Sequence, residues 1–203
     1  MTSSSHNDGI HDLPAPGWVD SEEALAELTA ELADVDEVGI DMEADSYYSY
    51  REKICLIQIT AKGKDWLVDP LAGVSMDPIG ALLADPTKRK LFHDGEYDVL
   101  LFQRQYGYTM ANLYDTRAAE AALGSEAPGL GAVLLERFGI ELDKGLQRSD
   151  WGQRPLSDQQ IAYARLDTRF LSELRSVQVV ELERRGITHV LDGECRRLEA
   201  IRA

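Results

Sequence analysis

The chain has 203 residues, 44% hydrophobic and 28% charged, with a formal net charge of −15. That is enough chain for one sizeable domain with a real core, and no apolar run approaches the ~20 residues a membrane helix needs. The acidic balance speaks against a module that coats nucleic acid through broad electrostatics, but not against an anionic site loaded with divalent cations, which change the local sign.

Residues 1–17 combine Ser, His, Asn, Gly and Pro without the charged and apolar regions of a signal peptide. They are expected to form a flexible leader to a single domain over 18–203. The only cysteines, Cys55 and Cys195, lack C-x-x-C spacing, which suggests reduced thiols in the cytoplasm and no zinc site. From Ser21 an acidic first turn and a Leu25/Leu28/Leu32 stripe predict a helix. Val38-Gly39-Ile40 opens a strand that closes on Asp41-Met42-Glu43. A tyrosine-rich connection, 44–52, leads to a strong β run over 53–60, and the turn 61–64 joins it to a hairpin partner over 65–69.

Beyond Pro70 the pattern alternates. A short helix starts at Asp77-Pro78, a short strand covers Lys90 to His93, and a helix follows Gly95. A brief strand ends at Asp115, and 116–123 is helical, so these strands should add in parallel. From Gly129 onward the chain reads as helical except for the loop 141–155. One helix is expected from the Ser157-Asp158 cap to about Arg185 and another over 189–201. The fold class that results is α/β: a mixed five-stranded sheet flanked by helices, with a helical C-terminal third.

Three stations carry acids suited to chemistry. In a strand, Asp41 and Glu43 point to one side, where two carboxylates repel and lose hydration unless a cation or hydrogen bonds compensate. Alone, the pair also suits a strand end in solvent. Asp98, near the start of a helix, suits the positive end of the helix as well as a site. Tyr163 and Asp167 stand at i and i+4 on one helical face. Asp115 is expected to cap the following helix and to stay outside the site. Carboxylates from several elements suit hard divalent cations, two of which, about 3.5–4 Å apart, serve phosphodiester hydrolysis. A tyrosine hydroxyl beside them can orient or help deprotonate water.

In this order, D-x-E (Asp41, Glu43), H-x-G-x-x-D (His93, Asp98) and Y-x-x-x-D (Tyr163, Asp167) resemble the three motifs of the DEDD exonuclease superfamily, in its tyrosine-containing branch. Tyr50-Arg-Glu-Lys-Ile-Cys-Leu-Ile-Gln58 is similar to the second strand of ribonuclease D, and Leu142 to Leu156 to that family's L-D-K…S-D-W…R-P-L loop. The similarity spans about residues 18–185. It implies a ribonuclease H-like fold and a 3′→5′ exonuclease acting on nucleic acid with a free 3′ end, RNA preferred over DNA. It also implies that Asp41, Glu43, Asp98 and Asp167 hold two divalent ions, Mg²⁺ or Mn²⁺, with Tyr163 positioning the attacking water. Asp-Met-Glu-Ala stands where many bacterial members show D-T-E-F, so Met42 becomes a candidate substrate contact. His93 is placed at the scissile phosphate or as a structural residue, and Gln58 beside the site or within the sheet. Arg148 is a candidate phosphate contact, and Trp151 a base-stacking platform or a core anchor. Two other readings are an exonuclease for DNA ends and a non-catalytic RNA-binding module; the intact five-residue set argues against the second.

Overall fold

The computed structural model describes residues 13–45, 52–142 and 145–202. Most of the expected leader, part of the tyrosine-rich connection including Tyr50 and Arg51, and residues 143–144 of the loop motif lie outside the described residues.

Among the described residues the sheet holds six strands: β1 (Gly17–Val19), β2 (Glu37–Ala44), β3 (Ile54–Ala61), β4 (Lys64–Val68), β5 (Arg89–Phe92) and β6 (Leu113–Asp115), in the spatial order β1-β4-β3-β2-β5-β6. Strands β2, β3 and β4 form the antiparallel meander, and β5 and β6 add in parallel beside β2. The sequence reading differs by one strand. β1 pairs in parallel with β4, and its three residues are too few for alternation to register.

Eight α-helices are described: α1 (Glu22–Glu31), α2 (Asp77–Ala84), α3 (Glu96–Tyr106), α4 (Thr116–Ala122), α5 (Leu130–Phe138), α6 (Asp158–Arg169), α7 (Leu171–Arg185) and α8 (Thr188–Glu199). The single helix expected over 157–185 is therefore two, broken at Phe170, where neither glycine nor proline marks a stop. None of the described helices is long and apolar enough to cross a membrane.

Alternation along β2 sorts its side chains. Val38, Ile40 and Met42 enter the main core with Ile57, Phe92 and Phe102, while Gly39, Asp41 and Glu43 face the other way. Helix α6 crosses that second face. At Gly39 a Cβ would stand only 2.8 Å from the Thr168 carbonyl oxygen, so the missing side chain is what admits the helix. At the strand ends remote from the acids, Thr168 Oγ1 lies 2.7 Å from Thr60 Oγ1. The Arg165 guanidinium grips the buried Asp65 carboxylate at 2.9 and 2.5 Å, with Arg169 adding a third contact at 3.2 Å. A capping box between Ser157 and Gln160 starts the helix. Clamped in this way, α6 presents Tyr163 and Asp167 over the carboxyl end of β2.

Candidate active site

Three stretches converge. β2 contributes Asp41 and Glu43, α6 contributes Tyr163 and Asp167, and the first turn of α3 contributes Asp98. Carboxylate oxygens of Asp41, Glu43 and Asp167 lie within 4.8 Å of one another. Asp98 stands behind them, 7% exposed, and its Oδ1 has no hydrogen-bond partner among the described residues.

The electrostatics follow from that crowding. Burial, then the charge of Asp167, holds the Asp41 carboxyl well above the usual carboxylate range, although the Met42 backbone N–H works the other way. Glu43 is pushed up to about 10 by burial and by the charges of Asp41, Asp167 and Asp98. Burial and Asp98 raise Asp167 to about 7. Asp98 is raised by burial and then by Asp41, against backbone N–H groups of its own residue and of Met42. Among the described residues, no ion pair involves any of these four acids. Oxygen donors from separate elements, mutually repelling, with one buried oxygen unpartnered, fit hard divalent cations. Burial, followed by the charges of Asp167, Glu43 and Asp41, raises the Tyr163 phenol, so its hydroxyl stays protonated.

The acids open into a cleft of about 350 Å³, also lined by Met42, His93, Asp94, Arg117, Gly129, Leu130, Gln147 and Tyr163. The candidate substrate contacts divide around it. Met42 borders the cleft, but its side chain is buried in the main core on the opposite face of β2 from the acids. His93 lines it too; its Nδ1 lies 2.8 Å from Thr116 Oγ1, which donates to the Phe92 carbonyl, and burial lowers its pKa to about 4. The ring is therefore neutral near pH 7. Gln58 sits across the ladder from Asp41 but is fully buried, under α6 rather than in the cleft. Trp151 is 1% exposed and packs with Cys55, Leu56, Leu67 and Leu156, its ring 6.0 Å from that of Tyr163. No face is left for a base, so the indole anchors the loop behind Tyr163. Arg148 is exposed on that loop, beside the cleft residue Gln147.

Five cleft residues, Asp94, Arg117, Gly129, Leu130 and Gln147, had no role in the sequence reading, and two of them bear polar side chains that matter here, Gln147 and Arg117. Gln147 lines the cleft together with Tyr163 and works against the rise of its phenol pKa, and its place inside the quoted loop motif was the available signal. Arg117 comes from the first turn of α4, and no local pattern marks it. Asp115, expected only to cap, does more. It caps α4 at the Ala118 N–H (2.8 Å) and also accepts the backbone N–H groups of Asp94 (3.3 Å) and Gly95 (2.7 Å), fixing the turn into α3.

A mixed sheet with a carboxylate cluster at the end of a central strand, and a tyrosine beside it, is the arrangement that divalent-cation hydrolysis of phosphodiesters calls for. Residues 16–182 match the 3′-5′ exonuclease family profile, and the chain belongs to that family. It is 36% identical over 162 residues to the exosome complex exonuclease RRP6 of Saccharomyces cerevisiae, covering 79% of this chain and 22% of that protein. Identity to ribonuclease D of Gluconacetobacter diazotrophicus is 33% over 176 residues, covering 86% and 45%. Among solved structures, Escherichia coli RNase D, an exoribonuclease involved in structured RNA processing, superposes with a TM-score of 0.84 at 30% identity, covering 91% of this chain and 49% of that one. NrnC of Brucella melitensis bound to pGG gives 0.74 at 27%, covering 83% and 84%. The chain thus spans less than half the length of the RRP6 and ribonuclease D proteins it matches.

Proposed function

We propose that the chain is a metal-dependent 3′→5′ exoribonuclease that shortens single-stranded RNA from its free 3′ end. The observation that carries this reading is the convergence of Asp41, Glu43 and Asp167 oxygens within 4.8 Å of one another, with Asp98 buried behind. Those four residues would hold two divalent ions, Mg²⁺ or Mn²⁺. Bound there, such ions supply charge neutralisation at the phosphodiester and a water acidic enough to attack near neutral pH. The protein's own part is to hold four carboxyl groups at fixed positions and to keep the Tyr163 hydroxyl beside them, where it orients the water. Gln147 steadies that hydroxyl. The free, buried cysteines fit a reducing compartment, and a cytoplasmic location is part of this reading.

The test compares 5′-labelled RNA and DNA single strands of one sequence, with Mg²⁺, Mn²⁺ or EDTA. The expected result is a ladder shortening from the 3′ end, faster on RNA and stopped by EDTA. Labelled mononucleotide as the only early product would overturn the direction, equal or faster DNA digestion the substrate preference, and no digestion the activity. A second reading, a nuclease for very short oligonucleotides, is favoured by the match over 84% of the pGG-bound NrnC chain. Dinucleotides cleaved faster than ten-nucleotide strands would support it.

A further inference from the structure

We propose that Arg117 binds a backbone phosphate of the substrate strand at the rim of the cleft, one or more nucleotides upstream of the bond that is cut. This rests on the exoribonuclease reading. The cleft walls carry Asp41, Glu43, Asp94 and Asp167, and a polyanion must enter among them. Arg117 is the one cationic side chain among the described cleft-lining residues, His93 being neutral near pH 7. A second cavity of about 400 Å³ between α4 and α8 adjoins the cleft, and the residues that line both are Asp94 and Arg117. A strand that runs from the cleft toward this second cavity passes the guanidinium.

The present partner of that guanidinium is easily exchanged. Arg117 Nε lies 3.4 Å from Asp94 Oδ2, and the two side chains are 45% and 63% exposed. Such solvated pairs hold weakly, whereas a phosphate offers the guanidinium fork two charged oxygens at once. The pair nonetheless preorganises the arginine. Asp94 sits at φ 68°, its N–H bound to the same Asp115 carboxylate that caps the helix carrying Arg117. The opposite wall of the second cavity holds a counter-example: Arg197 is engaged by Glu96 at 2.6 Å and Glu194 at 2.7 Å, a double tie that Arg117 lacks.

The test uses wild type, Arg117→Ala and Arg117→Lys. Digestion kinetics of a dinucleotide and a ten-nucleotide RNA in Mg²⁺ are measured alongside equilibrium binding of the longer RNA in Ca²⁺ across 50–200 mM salt. For Arg117→Ala the expected outcome is KM and Kd on the longer RNA raised about tenfold, with kcat changed far less and a smaller effect on the dinucleotide. The salt slope of log affinity should become shallower by about 0.7, as for one lost single-strand phosphate contact. Lysine should restore part of the affinity, and melting temperature should not move. Unchanged Kd and salt slope would overturn the proposal, as would wild type that binds no RNA. If wild type binds RNA with the expected Arg117 dependence yet digests none, the function proposed above fails and this inference stands.

Discussion

The Thr168 carbonyl oxygen rests against the bare Cα of Gly39, and a Cβ there would approach it to 2.8 Å. Backbone against backbone cannot yield by a rotamer change, so Gly39→Ala should lift α6 from β2. Overpacking of this kind costs about 1–3 kcal/mol. Because Asp167 is the residue before Thr168, the substitution should weaken divalent-ion affinity and turnover together. Calorimetric titration with Mn²⁺ and a melting curve check both; unchanged Mn²⁺ affinity would refute the coupling.

Removing a carboxylate from the cluster should separate activity from stability. Asp41→Asn and Asp167→Asn are each expected to abolish divalent-dependent digestion. In EDTA the same variants should melt higher than wild type, since one member of a repelling group is gone; each kcal/mol corresponds to about 2–4 °C at this chain length. Digestion retained in both variants would refute the metal assignment.

Glu43 and Asp167 make the metal-free fold sensitive to pH. A carboxyl raised in the folded state keeps its proton where the unfolded chain has lost it, so the unfolded state binds fewer protons and stability falls as pH rises through that window. The window runs from the ordinary value of 4.5 to about 10 for Glu43, and from 3.8 to about 7 for Asp167. In EDTA the melting temperature should therefore decline from pH 4.5 to 8.5, less steeply in Glu43→Gln, and added Mg²⁺ should flatten the decline. Equal slopes for wild type and variant would contradict the raised Glu43.

Tyr163→Phe should slow digestion about 10- to 100-fold, short of the ~10²–10⁴ carried by a true proton-transfer group. Its Mn²⁺ affinity should match wild type, because the hydroxyl orients water and leaves the carboxylates alone. Single-turnover kinetics on the labelled RNA measure this directly.

The loop behind Tyr163 depends on Arg154. Its guanidinium meets Asp69 at 2.7 Å through two nitrogens, the Cys55 carbonyl at 2.6 Å and the Trp151 carbonyl at 2.9 Å. Arg154→Ala leaves the buried Asp69 without its cation. A loss of about 3 kcal/mol is expected, a fall of roughly 6–12 °C in melting temperature. Turnover should fall further than fold loss explains, since the loop also carries Gln147.

The acids that meet in the cleft were readable because each lies within a local period. Two-residue alternation puts Asp41 and Glu43 on one face, and the i, i+4 step does the same for Tyr163 and Asp167. Arg117 and Gln147 obey no such period: they reach the cleft only because α4 and the pre-α6 loop pack where they do. Trp151 shows the converse limit. Its residue type suits stacking and core equally, and only its packing against Leu67 and Leu156 decides for the core. The short strand β1 is likewise set by a partner distant in sequence, Trp66 beside Gly17, and the break at Phe170 has no local signal in glycine or proline.

One carboxylate at the end of β6 acts as a common hinge pin. Asp115 fixes the turn from which α3 rises with Asp98 and, at the same time, the first turn of α4 with Arg117. The acidic floor of the cleft and the one cationic side chain among its described lining residues are thereby set to one another by a side chain that is not itself part of that lining. A shorter or neutral residue at 115 would alter catalysis and strand grip in step, a linked failure that scanning the cleft lining residue by residue would miss.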